Sequence, residues 1–181
     1  MTRSHTTRTV DTGRLRLTAT AILTALLLTT GRASARWMIV GNADTVSVID
    51  LTARPPHVID SVSVGDGPEG LAISPDGRLA VAVLIRGSQN ARANPATAWA
   101  AHKNGSVAIL SIDGKRVRKT GEIEVGGMPE GVVFSPDGRY IYIGNFLSRD
   151  VSILEVSGRK VVDTGERLRL PGQPGAMRSA R

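Results

Sequence analysis

The sequence predicts an all-β chain made of repeating four-stranded antiparallel units. Three observations carry that expectation. Pro68-Glu69-Gly70 followed by Ser74-Pro75-Asp76-Gly77-Arg78 recurs 61 residues later as Pro129-Glu130-Gly131 followed by Ser135-Pro136-Asp137-Gly138-Arg139. Apolar and β-branched residues alternate with period two, as in Leu79-Ala80-Val81-Ala82-Val83 and Tyr140-Ile141-Tyr142-Ile143. Glycine is frequent, 20 of 181 residues or about 11%, against an average near 7%. Beyond residue 35 no segment carries a sustained helical apolar stripe.

Residues 1–35 read as a secretory signal peptide. Arg3, Arg8, Arg14 and Arg16 form a basic start, residues 17–28 an apolar stretch, and Ala33-Ser34-Ala35 a small-x-small site with cleavage after Ala35. The apolar run is shorter than the roughly 20 residues of a membrane span, so no membrane anchor is expected after cleavage. The expected location is periplasmic or secreted. The formal net charge is +7, and five Arg and one Asp in the leader account for +4 of it, leaving +3 on residues 36–181. That charge and the 3% of aromatics argue against a nucleic-acid partner. The chain has no cysteine, which excludes disulfides, thiolate metal sites and a Cys nucleophile.

Residues 36–181 form the repeat domain. Strands are expected at about 37–41, 45–51 and 57–64, before the first Pro-Glu-Gly. The runs Thr45-Val46-Ser47-Val48, Ser106-Val107-Ala108-Ile109 and Asp150-Val151-Ser152-Ile153 align, with Val107 and Val151 44 residues apart. A third Pro-Gly, Pro174-Gly175, lies 45 residues after Pro129. A period of 44–45 residues is that of a four-stranded propeller blade. The longer first interval implies a 17-residue insertion within residues 86–104. In the last full repeat, strands are expected at 130–135, 140–145, 150–156 and 161–170, with one more at 174–178. Ser-Pro-Asp-Gly supplies the hairpin turns, Pro presetting φ and Gly taking the left-handed conformation. The total is about three blades, with the last strand able to complete the first blade; the chain is either part of a propeller, from a truncated or internally deleted gene, or half of an oligomeric ring.

These motifs resemble the YVTN-type repeat of bacterial β-propellers, often called YncE-like or lactonase-like. The matching residues are the Pro-Glu-Gly and Ser-Pro-Asp-Gly-Arg pairs, Gly41-Asn42 with residues 45–50, and Tyr140-Ile141-Tyr142-Ile143-Gly144-Asn145. The resemblance covers about residues 37–178 and implies an exported propeller. Related lactonase propellers hold a metal at a polar mouth.

Strand parity places the Pro-Glu-Gly connections, the insertion, Asn42 and Asn145 on one face, and the Ser-Pro-Asp-Gly turns on the other. The candidate ligand-binding mouth is therefore Glu69, Glu130, Asn42 and Asn145, with Arg86, Trp99 and His102 from the insertion. Carboxylate and amide oxygens are hard donors that suit calcium, although Gly175 replaces Glu in the third repeat and no metal-ligand set stands out. The same recurrence is also what a purely structural connection would produce. His57 follows Pro55-Pro56 and reads as an edge residue. No Ser-His-Asp order, HExxH or phosphate loop is present, so no catalytic residue is assigned. The leading functional expectation is a non-enzymatic module that binds a ligand, another exported protein or a second copy of itself. The alternative is a metal-dependent, lactonase-type hydrolase using the Glu-lined mouth.

Overall fold

The computed structural model describes residues 36–85 and 104–179. The leader, the Ala35 cleavage site, and Arg86, Trp99 and His102 of the insertion lie outside the described residues. Eleven strands form three antiparallel sheets, and the described residues contain no helix. Blade A is β1 (Trp37–Gly41), β2 (Thr45–Asp50) and β3 (His57–Ser63). Blade B is β4 (Pro68–Ile73), β5 (Leu79–Leu84), β6 (Ser106–Asp113) and β7 (Arg116–Glu124). Blade C is β8 (Pro129–Phe134), β9 (Tyr140–Asn145), β10 (Asp150–Ser157) and β11 (Lys160–Arg169). Within each sheet the strands pair in sequence order, so each blade is a simple meander.

The blades stack A on B on C, and the period-two pattern decides which residue faces which neighbour. All six residues of β5 are buried. Ala80, Ala82 and Leu84 pack with Val46, Val48 and Leu110 in the core between A and B. Leu79, Val81 and Val83 pack with Val132, Phe134, Ile141 and Ile143 in the core between B and C. Full burial of one such Val, Leu or Ile is worth about 1.5–3 kcal/mol, so β5 anchors both interfaces. Polar ties reinforce the A–B contact. Lys119 Nζ donates to the Val64 carbonyl at 2.6 Å, and the Val117 N–H donates to Asp60 Oδ2 at 3.2 Å.

The two Ser-Pro-Asp-Gly turns are built alike. Ser74 Oγ donates to Asp76 Oδ1 at 2.6 Å and accepts the Leu79 N–H at 2.9 Å. Ser135 repeats this with Asp137 at 2.6 Å and Tyr140 at 2.9 Å. Gly77 and Gly138 close the turns at φ of 70° and 72°, where an L side chain is strained. A register shift recurs between the last two strands of every blade, at Val48/Ile49, Ile109/Leu110 and Ser152/Leu154. Such bulges increase strand twist.

Several carboxylates are held below their ordinary range by these local bonds. The Thr52 hydroxyl and N–H both donate to Asp50 Oδ1, at 2.6 and 2.8 Å, and pull its pKa from 3.8 to about 2. Asp76 and Asp137 are lowered by the Ser74 and Ser135 hydroxyls, then by the Arg78 and Arg139 backbone N–H groups. A depressed carboxyl contributes stability that is complete above its unfolded pKa and is lost as pH falls through the folded one. For Asp50 that window runs from about pH 4 down to about 2. Thr52→Val is therefore expected to be less stable than the parent at neutral pH, the difference shrinking across this window. Urea unfolding at neutral and acid pH checks it, and a difference independent of pH would refute the assignment.

Two expectations need revision. The strand expected at 174–178 pairs with no strand among the described residues. A blade's first strand ladders onto its second, and none follows these residues in the described chain. Blade A accordingly has three strands rather than four.

Candidate functional site

Glu69 and Glu130 each follow the proline that opens the innermost strand of a blade, β4 and β8. These strands pack against each other, which brings the two Pro-Glu-Gly connections side by side. Gly70 makes this approach possible. A Cβ there would overlap the Glu130 carbonyl oxygen and come within 2.8 Å of Val83 Cγ2. The third connection repeats the stacking, since a Cβ at Gly131 would overlap the Gly175 carbonyl oxygen.

The result is an open cavity of about 320 Å³ lined by Glu69, Ile85, Met128, Glu130 and Ala176. The two carboxylates feel each other. Partial burial raises the Glu130 pKa, and the negative charge of Glu69 raises it further. Glu69 is exposed and Glu130 half-buried. Two carboxyls in one cavity, one of them raised, are an arrangement that can donate and accept a proton.

Met128 occupies the repeat position of Gly67 but keeps the same left-handed backbone, with φ of 51° against 68°. A non-glycine residue held there costs about 1–2 kcal/mol. Strain of this sort collects where a side chain is put to use, and the Met128 side chain lines the cavity.

The structure brings Glu69 and Glu130 together but does not bring Asn42 or Asn145 to the cavity lining. Asn145 is fully buried, and its Nδ2 donates to Asp150 Oδ1 and Ser152 Oγ, both at 2.8 Å. Asn42 makes the equivalent bonds in blade A, to Thr45 Oγ1 at 3.0 Å and Ser47 Oγ at 2.9 Å, and is exposed. Both asparagines pin the start of strand three to the end of strand two. Reading the sequence missed Ile85, Met128 and Ala176. The signal for Met128 was a bulky residue at a position that glycine, Gly67, holds in the preceding repeat. Among the described residues no group of three His, Asp or Glu is placed to hold a metal ion.

No family model and no curated protein matches the chain. Solved structures do. A Bacteroides fragilis protein assigned as a 6-phosphogluconolactonase superposes with a TM-score of 0.63 at 17% identity, over 78% of this chain and 38% of that one. A Bacteroides uniformis protein with the same assignment gives 0.59 at 15% identity, over 74% and 37%. The chain is a partial β-propeller. The periplasmic gluconolactonase PpgL of Pseudomonas aeruginosa gives a TM-score of 0.58 at 17% identity, over 79% and 39%. At these identities the likeness concerns the fold, and the partial propeller spans about two fifths of each of these proteins.

Proposed function

We propose that the partial propeller is a lactonase-type module that binds a sugar lactone at the Glu69/Glu130 mouth and hydrolyses it. The observation that carries this is the shared cavity of two carboxylates with Glu130 raised by burial and by Glu69. In this reading the Glu69 carboxylate takes a proton from water as the water oxygen attacks the lactone carbonyl carbon. The bond from that carbon to the ring oxygen breaks, and protonated Glu130 supplies a proton to the departing oxygen. The cavity volume, about 320 Å³, lies at the small end of ligand pockets, roughly 300–1,000 Å³. The lactonase assignments of the structural neighbours favour a lactone over other small polar ligands.

The repeat motifs make YVTN-type propellers the family in which we place the chain. Its leader, with cleavage after Ala35, makes it an exported protein, and the periplasmic location in the name of one neighbour agrees with this. Calcium takes about 6–8 oxygen ligands, and Glu69 and Glu130 alone fall short of that set. No step is assigned to an ion.

A second reading, binding without turnover, is favoured by the cavity lining, which among the described residues holds no Ser, His or Lys. One experiment separates the two. Glucono-δ-lactone is titrated into the chain and its hydrolysis followed, with Glu69→Gln and Glu130→Gln in parallel. Hydrolysis is expected, and each substitution is expected to lower kcat by about 10²–10⁴-fold, the range of a general acid or base. Glu130→Gln removes a carboxylate that burial disfavours, so its unfolding midpoint should equal or exceed the parent's. Lactone binding without hydrolysis establishes the second reading, and absence of binding refutes both.

A further inference from the structure

We infer that the junction between blades B and C binds a doubly charged phosphate or sulfate group, held by Arg116, Arg118 and Arg159. The inference is independent of the chemistry assigned to Glu69 and Glu130. It rests on a comparison of two junctions that the same repeat builds.

Register fixes which side chains meet. Val107 and Ile109 of β6 belong to the core between B and C, so alternation turns Ser111 and Asp113 the same way. Across the ladder Ser111 lies opposite Arg118, and Asp113 opposite Arg116. Between them, Ile112 and Val117 point the other way, into the core between A and B. Blade C adds Arg159 from the tight turn between β10 and β11, where Ser157 pairs with Lys160. Ser111, Asp113, Arg116, Arg118 and Arg159 line a cavity of about 260 Å³. Gly158, in the same turn as Arg159, lines a neighbouring cavity with Asp76, Asp137 and Gly138. The site therefore lies on the face of the Ser-Pro-Asp-Gly turns, away from the Glu69/Glu130 mouth.

The A–B junction shows what the repeat can place here. Asp50 stands 61 residues before Ser111, and Lys115 stands 44 before Arg159, the two repeat offsets of the chain. Asp50 is buried, and Lys115 reaches back across the junction to within 3.5 Å of its Oδ2. At B–C a serine replaces that carboxylate. Arg159 reaches back in the same way but finds the exposed Asp113, whose Oδ1 is 3.7 Å away, too far for a hydrogen bond. An ion pair this exposed contributes little. Ser111 is buried, yet its hydroxyl makes no hydrogen bond among the described residues. The guanidinium groups of Arg116 and Arg118 pair with no carboxylate among the described residues.

Three guanidinium groups against one carboxylate leave the cavity with two positive charges. Arg116 and Arg118 stand two residues apart on one face of β7, about 6.5–7 Å along the strand, and repel each other until an anion lies between them. A phosphate or sulfate dianion matches the surplus. Its oxygens accept the paired N–H groups that a guanidinium fork presents. The Ser111 hydroxyl is a further donor, at the position where Asp50 brings a charge of its own. A lone carboxylate ligand would leave one positive charge uncompensated.

Calorimetric titration of the chain with inorganic phosphate, sulfate, glycerol phosphate and acetate, at equal ionic strength, tests the site. The three dianions are expected to saturate one site per chain, and acetate to bind more weakly. Arg118→Gln and Arg159→Gln should each weaken phosphate binding by about tenfold or more. Asp113→Asn should strengthen it, because the competing carboxylate is gone. These residues are exposed, so the substitutions leave folding intact. Ser111→Asp copies the carboxylate of the A–B junction and should abolish binding. Glycerol phosphate binding more tightly than inorganic phosphate identifies a monoester as the ligand, and the reverse identifies the free ion. Absence of saturable binding, acetate binding as tightly as phosphate, unchanged affinity in Arg118→Gln, or weaker binding in Asp113→Asn overturns the inference.

Discussion

Gly70→Ala is expected to be among the most damaging single substitutions in the described chain. The new Cβ would overlap the Glu130 carbonyl oxygen and approach Val83 Cγ2 at 2.8 Å. Neither neighbour moves freely. Glu130 is in β8, laddered to β9, and Val83 is a fully buried member of the B–C core. Relief requires β4 and β8 to separate, which opens the contact that joins the blades. Overpacking in a fixed environment costs about 1–3 kcal/mol and occasionally more, and backbone against backbone belongs at the upper end. Two comparisons isolate the cause. Gly131→Ala meets the Gly175 carbonyl, which belongs to an unladdered segment that can shift, so its cost in a single chain should be smaller. Gly121→Ala, in β7, meets nothing within 4 Å and should be neutral or mildly stabilising. Chemical denaturation of the three variants should rank them in that order. If Gly70→Ala unfolds at the parent's midpoint, the inner strands are not in the contact described.

Asn145→Asp is expected to be similarly severe, and its severity should depend on pH. The asparagine is fully buried, and its amide nitrogen donates to Asp150 Oδ1 at 2.8 Å. The substitution exchanges that donor for a carboxylate beside a carboxylate, and the cations near Asp150, the largely exposed Arg169 at 3.5 Å and Arg167, already interact with Asp150 itself. A buried charge left without a partner of its own costs up to about 3–5 kcal/mol. The introduced group escapes part of this by keeping its proton, so its folded pKa is pushed above the unfolded one. The linkage has the opposite sign to that of Asp50. Its contribution is complete below the unfolded pKa and is lost as pH rises through the folded one. The variant should therefore approach parental stability near pH 4 and fall away from it toward pH 8, as read from urea midpoints. Asn42→Asp, in the same motif but exposed, should stay within about 0.5 kcal/mol of the parent under dilute conditions. Equal losses at the two positions would mean that burial is not the cause.

Asn42 and Asn145 also show where the sequence stops informing. Both were legible as ends of second strands, because Gly-Asn closes an alternating run in each repeat. Strand positions elsewhere were legible for the same reason. The expected 140–145 is β9, and 45–51 is within one residue of β2. What could not be read was whether an inner strand covers each asparagine, since that depends on a neighbour far along the chain. The mouth divides likewise. Glu69 and Glu130 stood out because they recur beside Pro and Gly. Ile85 and Met128 enter the cavity through the stacking of blades, which leaves no local pattern. Residues 174–178 hold the repeat position of a strand but have no second strand to ladder with among the described residues. A segment's propensity says nothing about whether its complement is within reach.

The stack of three sheets has a further consequence for cooperativity. Each blade owes its order to nearest-neighbour contacts, so the chain behaves as a short one-dimensional array whose stability is a sum over blades and junctions. Among the described residues the three blades meet at two junctions, and only the middle blade, which contains the wholly buried β5, is coupled on both sides. The outer blades are each coupled once there. A cavity opened in β5 would therefore weaken both junctions at once, whereas one opened in the core-facing residues of an outer blade would weaken a single junction.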